Sequence, residues 1–335
     1  MRLAVCMPQV PFERGGTEIF ADGLVGALRE AGHEAELVTI PFKWYPNERL
    51  LTQAFLWRLL DLEEANGRPI DAVIATKFPS YAIRHPNKVV WLIHQFRQAW
   101  DFDRTEFGQF SETAADRALR RKVLQFDSVA LGEAKKIFTT SSIVAGRLRD
   151  SVGLDAEVLA PPPAPLAFRC DEYGDFVLSV NRLDRAKRID LLLEAAATVP
   201  GLRIVVAGDG PDRERLESLA NDRVEFVGRV SDDELADLYA RARAVYYAPV
   251  NEDYGLVPYE AFLSDKPVIT TTDAGGPLDI VHDGKTGRVV APTKEALAAA
   301  LTFSDEDART LGRAGRAIAE NVTWQKCVER LLEFV

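Results

Sequence analysis

Residues 2–40 read RLAVCMPQVPFERGGTEIFADGLVGALREAGHEAELVTI, and this stretch decides the fold class. Its first part, RLAVCM at 2–7, is a short apolar run that predicts a strand. In the middle part apolar residues recur at helical spacing, and ELVTI at 36–40 predicts a second strand. A strand, an amphipathic helix and a second strand make a βαβ unit, which is the building block of parallel sheets.

The same alternation continues along the rest of the chain. Apolar strand-like runs follow at DAVIAT, KVVWLI and KIFTT, and later at FVLSVN, RIVVAG, VEFVG, AVYYAP, PVITT and GRVVA. Unbroken apolar strands are buried on both faces, as they are in parallel sheets. The sequence therefore predicts an α/β protein with two doubly wound domains.

A proline-rich segment separates the two series of strands. APPPAPLA at 160–167 holds four prolines in eight positions, so it is stiff, extended and without helical or strand period. We therefore predict a first domain over residues 1–165 and a second over residues 166–322. The last stretch, 323–335, begins with the N-cap residue Thr323 and predicts a terminal helix.

Composition excludes several classes of protein. The chain has 335 residues and a formal net charge of -10, so it has no general basic field to hold nucleic acid. No run approaches the roughly 18 apolar residues of a membrane-spanning helix, and MRLAVCMPQV predicts a strand and not a signal peptide. Three widely spaced cysteines, Cys6, Cys170 and Cys327, fit a reducing compartment, so we expect a cytoplasmic protein.

Three features of the first domain are candidates for a site, because ligands of open parallel sheets bind beyond the carboxyl ends of the strands. Gly15 and Gly16 open the first helix, where bare backbone N–H groups can meet an anion; the alternative is a flexible turn. His94 ends a strand and is either a site residue or a structural histidine. Asp101 and Asp103 form a D-x-D pattern, for which we favour a solvated loop over a metal–nucleotide site.

The second domain carries charge in its strand-to-helix loops. Arg182 and Lys187 lie in the loop after FVLSVN, where clustered cations indicate a phosphate; the alternative is a loop that is charged to remain solvated. AGDGP at 207–211 is a tight turn.

Glu252 and Glu260 lie on either side of a helix start at Gly255–Pro258. Eight helical residues separate two side chains by about 12 Å along the axis. Paired carboxylates of a retaining glycosidase lie only about 5 Å apart. The two glutamates are therefore too far apart to act on one atom. We predict that they bind hydroxyl groups of the two sugars of a nucleoside diphosphate sugar, with its phosphates at the helix start between them. The alternative is two solvated glutamates where acidic residues are favoured anyway.

Four segments carry a resemblance to a known family. They are the two glutamates spaced E-x7-E, VNRLDRAKRIDLLLEAA, VEFVGRVSDDELADLYARARAVYYAP and GGPLDIVHDGKTG. They resemble the family 4 retaining glycosyltransferases of GT-B architecture, from about residue 175 to 292 and at the glycine pair of the first domain. The resemblance implies two facing Rossmann-like domains with a C-terminal helix that returns to the first. It also implies sugar transfer with retention from a nucleoside diphosphate sugar to a hydroxyl acceptor, without a metal or another cofactor.

The resemblance also implies roles for single residues. Arg182 and Lys187 would hold the donor pyrophosphate, and Glu260 would accept hydrogen bonds from the ribose. Glu252 would bind hydroxyls of the transferred sugar, and His94 would reach that sugar from the first domain. The predicted catalytic set is thus His94, Arg182, Lys187 and Glu252. Further donor contacts would come from Gly15, Gly16, Tyr254, Gly255, Leu256 and Val257.

The chain departs from the family pattern at four places. Asn181 stands where a glycine is usual, Ala186-Lys187-Arg188 replaces Glu-Lys-Gly, Asp253 intervenes before Tyr254, and Asp279 replaces a commoner Glu. These departures bear on the donor more than on the reaction class. Because no side chain is an obvious nucleophile, the resemblance favours proton transfer from the acceptor to the leaving phosphate. A catalytically altered nucleotide-sugar binding protein and an epimerase of the same architecture remain alternatives.

The acceptor is open among a glycan, a lipid-linked sugar and a small molecule. Residues 41–60 are rich in aromatic side chains, namely Phe42, Trp44, Tyr45, Phe55 and Trp57. They would either meet a lipid-linked acceptor at the inner face of the membrane or form part of the core. We favour core, because apolar residues fall on too many sides of the helix for an amphipathic face.

Overall fold

The computed structural model describes residues 1–105 and 107–335, and the chain divides into two compact units. The first unit comprises Met1–Pro161 with Thr323–Val335, and the second comprises Pro162–Val322. Each unit is built around its own parallel sheet, which confirms the predicted α/β class. No helix in these described ranges is long and apolar enough to span a bilayer.

The first unit begins with the predicted βαβ unit. Its strands are β1 (Arg2–Gln9), β2 (Glu34–Pro41), β3 (Glu64–Ala65), β4 (Arg68–Pro69), β5 (Ala72–Lys77), β6 (Lys88–His94), β7 (Lys136–Thr139) and β8 (Glu157–Val158). Parallel pairing gives the order β2-β1-β5-β6-β7-β8, and β3 and β4 form a separate antiparallel hairpin. Its helices up to residue 152 are α1 (Gly16–Glu30), α2 (Arg49–Leu59), α3 (Ala114–Gly132) and α4 (Ser142–Val152).

The core of the first unit lies on both faces of this sheet. Alternate residues of β1 point to opposite faces, so Leu3 and Val5 pack with α1, whereas Ala4 and Cys6 join the cluster of α2, α3 and α4. Strands covered on both sides must be apolar throughout, which explains the unbroken runs in the sequence.

The second unit repeats the design. Its strands are β9 (Phe176–Val180), β10 (Arg203–Ala207), β11 (Val224–Gly228), β12 (Ala244–Tyr246), β13 (Val268–Thr271) and β14 (Gly287–Val290). Its helices are α5 (Ile189–Ala196), α6 (Arg213–Leu219), α7 (Asp232–Arg241), α8 (Val257–Leu263), α9 (Lys294–Ala300) and α10 (Asp305–Ala319).

The strand order of the second unit creates a switch point. The order is β11-β10-β9-β12-β13-β14, so the chain runs outward from β9 on one side and returns on the other side as β12. Ligands of doubly wound sheets bind outside the carboxyl ends of the strands at such a point. The loops after β9 and β12 carry Arg182, Lys187 and Glu252, and they meet there.

The chain ends with α11 (Trp324–Leu332), which packs on the first unit. Thr323 caps it by accepting a hydrogen bond from the Lys326 N–H. Its buried residues Cys327, Val328 and Leu331 join the apolar cluster around α1. The predicted return of the final helix to the first domain is confirmed.

Candidate functional site

Two predicted site residues are in direct contact at the switch point of the second unit. The Lys187 ammonium group pairs with the Glu252 carboxylate, and their side chains are only 19% and 24% exposed. The backbones of the two loops are also joined, because the Val250 N–H donates to the Ala186 carbonyl oxygen at 2.8 Å. Lys187, which is predicted to bind phosphate, and Glu252, which is predicted to bind sugar, are therefore in direct contact.

Burial and charge act in opposite directions on Lys187. Burial alone would lower the pKa of its ammonium group, but Tyr247 and the hydrogen-bonded Glu252 carboxylate together raise that pKa well above its usual range. The Lys187 Nζ lies 5.6 Å from the centre of the Tyr247 ring. Lys187 is therefore a cation throughout the neutral pH range.

The loop after β13 sets the position of Glu252. The Glu252 N–H donates to the Ala274 carbonyl at 2.9 Å, and the Gly276 N–H donates to the Glu252 carbonyl at 2.9 Å. Gly275 has a φ of 80°, and a Cβ there would lie 2.4 Å from the Glu252 carbonyl oxygen. Only glycine fits this approach. The glycine pair of GGPLDI thus holds the segment that carries Glu252.

The residues between the two glutamates form a turn into α8. This helix begins at Val257 after the N-cap Leu256, with Pro258 in its first turn, as the Gly-x-x-Pro pattern predicts. Gly255 has a φ of 86°, and a Cβ there would lie 2.6 Å from the Tyr247 ring. The centre of the Tyr254 ring lies 5.1 Å from the centre of the Tyr259 ring.

Glu260 is held by a residue that the sequence reasoning missed. The hydroxyl of Tyr239, a fully buried residue of α7, donates a hydrogen bond of 2.6 Å to the Glu260 carboxylate. Burial raises the pKa of the Glu260 carboxyl group, and the Tyr239 hydrogen bond acts in the opposite direction. Helical periodicity marks Tyr239 as a core residue and gives no sign of where its hydroxyl points.

Arg182 differs from Lys187 in its surroundings. It follows β9 by two residues and is exposed, and its guanidinium makes no ion pair with residues 1–105 or 107–335. The second unit therefore brings Lys187 and Glu252 together, with Arg182 as an exposed cation at the same end of the sheet.

The predicted glycine pair of the first unit lies at the start of α1. Gly15 is the N-cap, and its N–H donates to the Glu18 carboxylate at 2.9 Å. A Cβ at Gly16 would meet nothing within 4 Å. Neither packing nor backbone conformation therefore requires Gly16 to be a glycine.

Lys77 is a further cation at this end of the first sheet. It closes β5, and its Nζ lies 3.0 Å from the Thr17 hydroxyl and 3.8 Å from the Glu18 carboxylate. Strand register pairs Lys77 with His94 on β6. Burial lowers the pKa of Lys77 although Glu18 opposes the shift. The sequence analysis did not identify Lys77. The feature that could have revealed it is its position, a lysine at the end of the apolar run DAVIATK.

A cavity of about 280 Å³ opens beside His94. The His94 Nδ1 lies 2.7 Å from the Gln95 carbonyl oxygen, which orients the ring, and the Ser151 hydroxyl donates to the Gln95 amide oxygen at 3.0 Å. Residues after β6 and residues of α4 line the rest of the cavity, namely Gln95, Arg97, Trp100, Asp101, Val144, Arg147, Asp150 and Ser151.

The expectation of a solvated loop at Asp101 and Asp103 is wrong. Asp101 accepts hydrogen bonds of 2.7 and 3.0 Å from Arg97 and lies 3.4 Å from Arg147. Asp103 pairs with Arg120 at 3.2 Å, and the two aspartates are only 19% and 17% exposed. Their partners Arg120 and Arg147 are distant in sequence, so the pattern D-x-D could not reveal them. No group of three or more His, Cys, Asp or Glu in the described part of the chain is arranged to hold a metal ion.

A buried carboxyl group lies behind the cavity wall. Asp127 of α3 is fully buried and accepts hydrogen bonds from the Tyr81 hydroxyl at 2.8 Å and the Trp100 Nε1 at 2.7 Å. Burial raises the pKa of Asp127 to about 7, against the effect of these hydrogen bonds. Since Trp100 lines the cavity, Asp127 braces that wall.

Residues 168–318 match the model of the family "Glycosyl transferases group 1". D-inositol 3-phosphate glycosyltransferase of Mycobacterium avium is 35% identical over an alignment of 201 residues, which covers 54% of this chain and 46% of that protein. The chain spans about half the length of the curated relatives it matches.

Two solved structures are similar over nearly the whole chain. Sucrose-phosphate synthase from Thermosynechococcus elongatus has a TM-score of 0.78 at 22% identity, covering 99% of this chain and 98% of that one. HepE of Anabaena, in complex with UDP and glucose, has a TM-score of 0.71 at 16% identity, covering 100% of both chains. These likenesses show the fold, and the match to the family model lies in the second unit. Residues 168–318 therefore match the glycosyl transferases group 1 model, and the chain has the two-domain α/β fold of these solved structures.

Proposed function

We propose that the protein transfers a sugar from a nucleoside diphosphate sugar to a hydroxyl acceptor, with retention and without a metal. The observation that carries this proposal is the Lys187–Glu252 pair at the switch point of the second unit, with the exposed Arg182 at the same end of the sheet. A pyrophosphate would be met by the two cations, and its sugar by the carboxylate.

Donor binding would exchange one partner of Lys187 for another. The ammonium group leaves Glu252 for the pyrophosphate, so the Glu252 carboxylate becomes available to hydroxyls of the transferred sugar. Glu260, oriented by Tyr239, accepts hydrogen bonds from the ribose. In this scheme the backbone from Tyr254 to Val257 adds contacts to the donor. Helix α8 has only seven residues. We therefore assign phosphate binding to the side-chain cations Arg182 and Lys187 and not to the amino end of this helix.

The chemical step follows from these contacts. As the bond between the anomeric carbon and the phosphate oxygen breaks, negative charge grows on the diphosphate, and Arg182 and Lys187 stabilise it. The acceptor oxygen bonds to the anomeric carbon on the face that the diphosphate leaves, and its proton passes to the departing phosphate oxygen. Retention follows from attack on that face. His94, Gly15 and Gly16 are proposed to contact the donor as well.

Nucleotide binding tests the donor half of the proposal. UDP, GDP and ADP are each added to the protein in a thermal-shift assay, with UDP first because HepE of Anabaena was solved with UDP and glucose. A ligand at 100 times its Kd stabilises a protein by about 2.7 kcal/mol. We expect one nucleotide to raise Tm, and an unchanged Tm with all three would contradict the proposal.

Product analysis tests the reaction. We expect an α-linked donor to give an α-linked product by NMR, and EDTA to leave turnover largely intact. Inversion at the anomeric carbon would contradict retention. Loss of turnover with EDTA that Mg²⁺ or Mn²⁺ restores would contradict metal independence.

The cavity beside His94 is proposed to hold the acceptor. Ser151 lies on its wall and is half-buried, so Ser151→Phe narrows it without burying a charge. We expect a higher KM for the acceptor and unchanged nucleotide affinity. Ser128→Phe, at an exposed position of α3, is the matched control. Equal acceptor KM values in both variants would contradict this placement.

Residues 41–60 divide between core and surface. Leu50, Ala54 and Trp57 are buried, which agrees with the favoured alternative for part of the segment. Other apolar residues of the segment are exposed: Trp44 36%, Tyr45 55%, Phe55 52%, Leu56 41% and Leu59 80%. We propose that these exposed residues contact the inner face of a membrane and that the acceptor is lipid-linked. The three cysteines are unpaired, which supports a cytoplasmic location.

Vesicle flotation tests the membrane contact. We expect the protein to float with vesicles of phosphatidylglycerol, and the double variant Phe55→Ser, Leu59→Ser to float less. Leu219→Ser, at a 45% exposed position of the second unit, controls for lost surface hydrophobicity. Equal flotation of the three proteins would contradict the membrane contact.

A further inference from the structure

Arg188 has a backbone conformation that favours glycine. Its φ is 51° and its ψ is 43°, in the left-handed region. Residues with a Cβ adopt this region rarely, because the Cβ approaches the following carbonyl oxygen. Arg188 directly follows Lys187, at the position where the family pattern has glycine. A large charged side chain at this position therefore needs a reason.

The Arg188 guanidinium is tied to the ends of two neighbouring strands. Its Nε donates to the Ala248 carbonyl at 2.9 Å, and its Nη2 donates to the Pro249 carbonyl at 2.8 Å; both carbonyls lie just after β12. On the side of β13, Nη2 donates to the Thr271 hydroxyl at 2.9 Å, and both Nη atoms bond Asp273 at 2.8 and 3.0 Å. All three nitrogen atoms of the guanidinium are thus engaged.

These contacts join the segments that carry the Lys187–Glu252 pair. Ala248 and Pro249 lead into the loop of Glu252, and the Asp273 carbonyl accepts a hydrogen bond of 2.9 Å from the Asn251 N–H. The backbone of Arg188 is held as well, because the buried Tyr246 hydroxyl donates to the Arg188 carbonyl at 2.8 Å. One side chain therefore links the loop after β9 to the loops after β12 and β13.

We propose that Arg188 is a positioning residue, which clamps the loop of Lys187 against the segment of Glu252 so that both groups meet a nucleoside diphosphate sugar in fixed geometry. The inference rests on the proposed function. Because the protein itself engages every guanidinium nitrogen, Arg188 acts through the loops and does not contact the substrate. Holding ligand-binding groups in place before the ligand arrives reduces the entropy lost on binding.

Two variants separate the clamp from the backbone conformation. Arg188→Gly keeps the left-handed conformation without strain and removes the guanidinium. Arg188→Lys keeps the charge and loses the planar fork that bonds several acceptors at once. If the guanidinium matters, Arg188→Lys restores only part of what Arg188→Gly loses.

Arg243 provides a matched control in the same unit. Its guanidinium also bonds main-chain carbonyls, those of Gly174 at 2.7 Å and Tyr173 at 3.0 Å, together with the Asp305 carboxylate at 2.6 Å. It directly precedes β12, so it lies at the amino end of the sheet, away from the switch point. Arg243→Gly and Arg243→Lys therefore remove a similar set of bonds without touching the proposed site.

The first measurement is hydrogen exchange of the ligand-free protein over residues 248–253 and 273–276. We expect faster exchange in Arg188→Gly, an intermediate rate in Arg188→Lys and wild-type rates there in the Arg243 variants. Unchanged exchange in Arg188→Gly would overturn the clamp. This measurement needs no nucleotide, so it is independent of the proposed activity.

The second measurement is the Kd of UDP, GDP and ADP by calorimetry. For the nucleotide that wild type binds, we expect Arg188→Gly to raise Kd about ten-fold, or about 1.4 kcal/mol, and the Arg243 variants to leave it unchanged. Faster exchange with an unchanged Kd would overturn the positioning role. Failure of wild type to bind any nucleotide would instead overturn the proposed function.

Discussion

The carboxyl end of the second sheet is cross-linked by charged side chains, whereas the carboxyl end of the first sheet borders an open cavity. In the second unit Lys187 pairs with Glu252, and Arg188 ties the neighbouring loops together. In the first unit ion pairs such as Arg97–Asp101 stand in the cavity wall beside His94. Both ends lie where doubly wound sheets bind ligands, and the second adds an exposed cation, Arg182, to its ion pair.

This difference teaches which part of a substrate each unit suits. A pyrophosphate is small and doubly charged, so it needs cations at fixed positions. The family match covers 168–318 and lies within the second unit. The cavity of the first unit has a volume of about 280 Å³, which leaves room for a larger group such as an acceptor. The predictions below test this division, beginning with the largest expected effect.

Lys187→Ala should cause the largest loss. It removes a charge-assisted bond to phosphate, worth about 1.5 to 3 kcal/mol, so the nucleoside diphosphate Kd should rise ten-fold or more. The same substitution leaves the half-buried Glu252 carboxylate without its paired cation. Calorimetry with the nucleotide that wild type binds measures the change. Arg215→Ala, which breaks half-buried pairs with Asp190 and Asp212 in the same unit, is the control. Equal Kd values for wild type and Lys187→Ala would remove Lys187 from the site.

Glu252→Gln and Glu260→Gln should differ in kind. Glu260 would grip the ribose equally before and during the reaction, so Glu260→Gln should mainly raise the donor KM, by about ten-fold. Glu252 would hold the reacting sugar, so Glu252→Gln should mainly lower kcat. Because Glu252 competes with phosphate for Lys187, Glu252→Gln should leave nucleoside diphosphate affinity unchanged or improved. Steady-state kinetics and calorimetry measure these quantities. Identical defects in the two variants would contradict the two-ended arrangement of the donor.

The sequence predicted the features that depend on local pattern. Apolar runs and helical spacing gave both parallel sheets, and the Gly-x-x-Pro pattern gave the start of α8 at Val257. The charged loop of Lys187 was visible because its residues are adjacent in the chain. Contacts between distant residues were not visible. The donation from Tyr239 to Glu260 joins two helices, and the ties of Arg188 reach residues some 60 to 85 positions away.

The aspartates of the first unit show why pattern reasoning fails there. Asp101 and Asp103 read as solvated because short acidic loops usually are. Their environment is decided by Arg120 on α3 and Arg147 on α4, which pack back on the loop. The departure from the family pattern at Arg188 likewise gives no sign of the hydrogen bonds that its side chain makes to the loops after β12 and β13.

Asp127 should make the stability of the first unit depend on pH. Its folded pKa is about 7, above the usual value, so the folded state keeps a proton that the unfolded state releases above about pH 4. Stability should therefore fall as pH rises from about 4 to about 7, by about 1.4 kcal/mol for each unit, and level off above. Asp127→Asn should remove this slope.

Tryptophan fluorescence in urea measures this effect in one unit. All five tryptophans lie in the first unit, so their emission does not follow the second. Unfolding is compared at about pH 5 and about pH 6, where nearly the full slope applies. Glu260 is the counterpart in the second unit, since it also accepts a hydrogen bond from a buried tyrosine. Glu260→Gln should leave the tryptophan-detected slope intact. An equal pH dependence of the unfolding free energy in wild type and Asp127→Asn would contradict its assignment to Asp127.

Gly16→Ala should have the smallest effect on stability and still separate two explanations of the glycine pair. A Cβ at Gly16 meets nothing within 4 Å, and alanine favours helix more than glycine, so the change in unfolding free energy should be below about 1 kcal/mol and stabilising. If the helix start meets donor phosphate, the added methyl group should still raise the donor KM. Gly26→Ala on the same helix, where a Cβ also meets nothing within 4 Å, controls for helix propensity. Wild-type kinetics in Gly16→Ala would contradict a donor contact at this helix start and would leave a flexible turn as the explanation of the glycine pair.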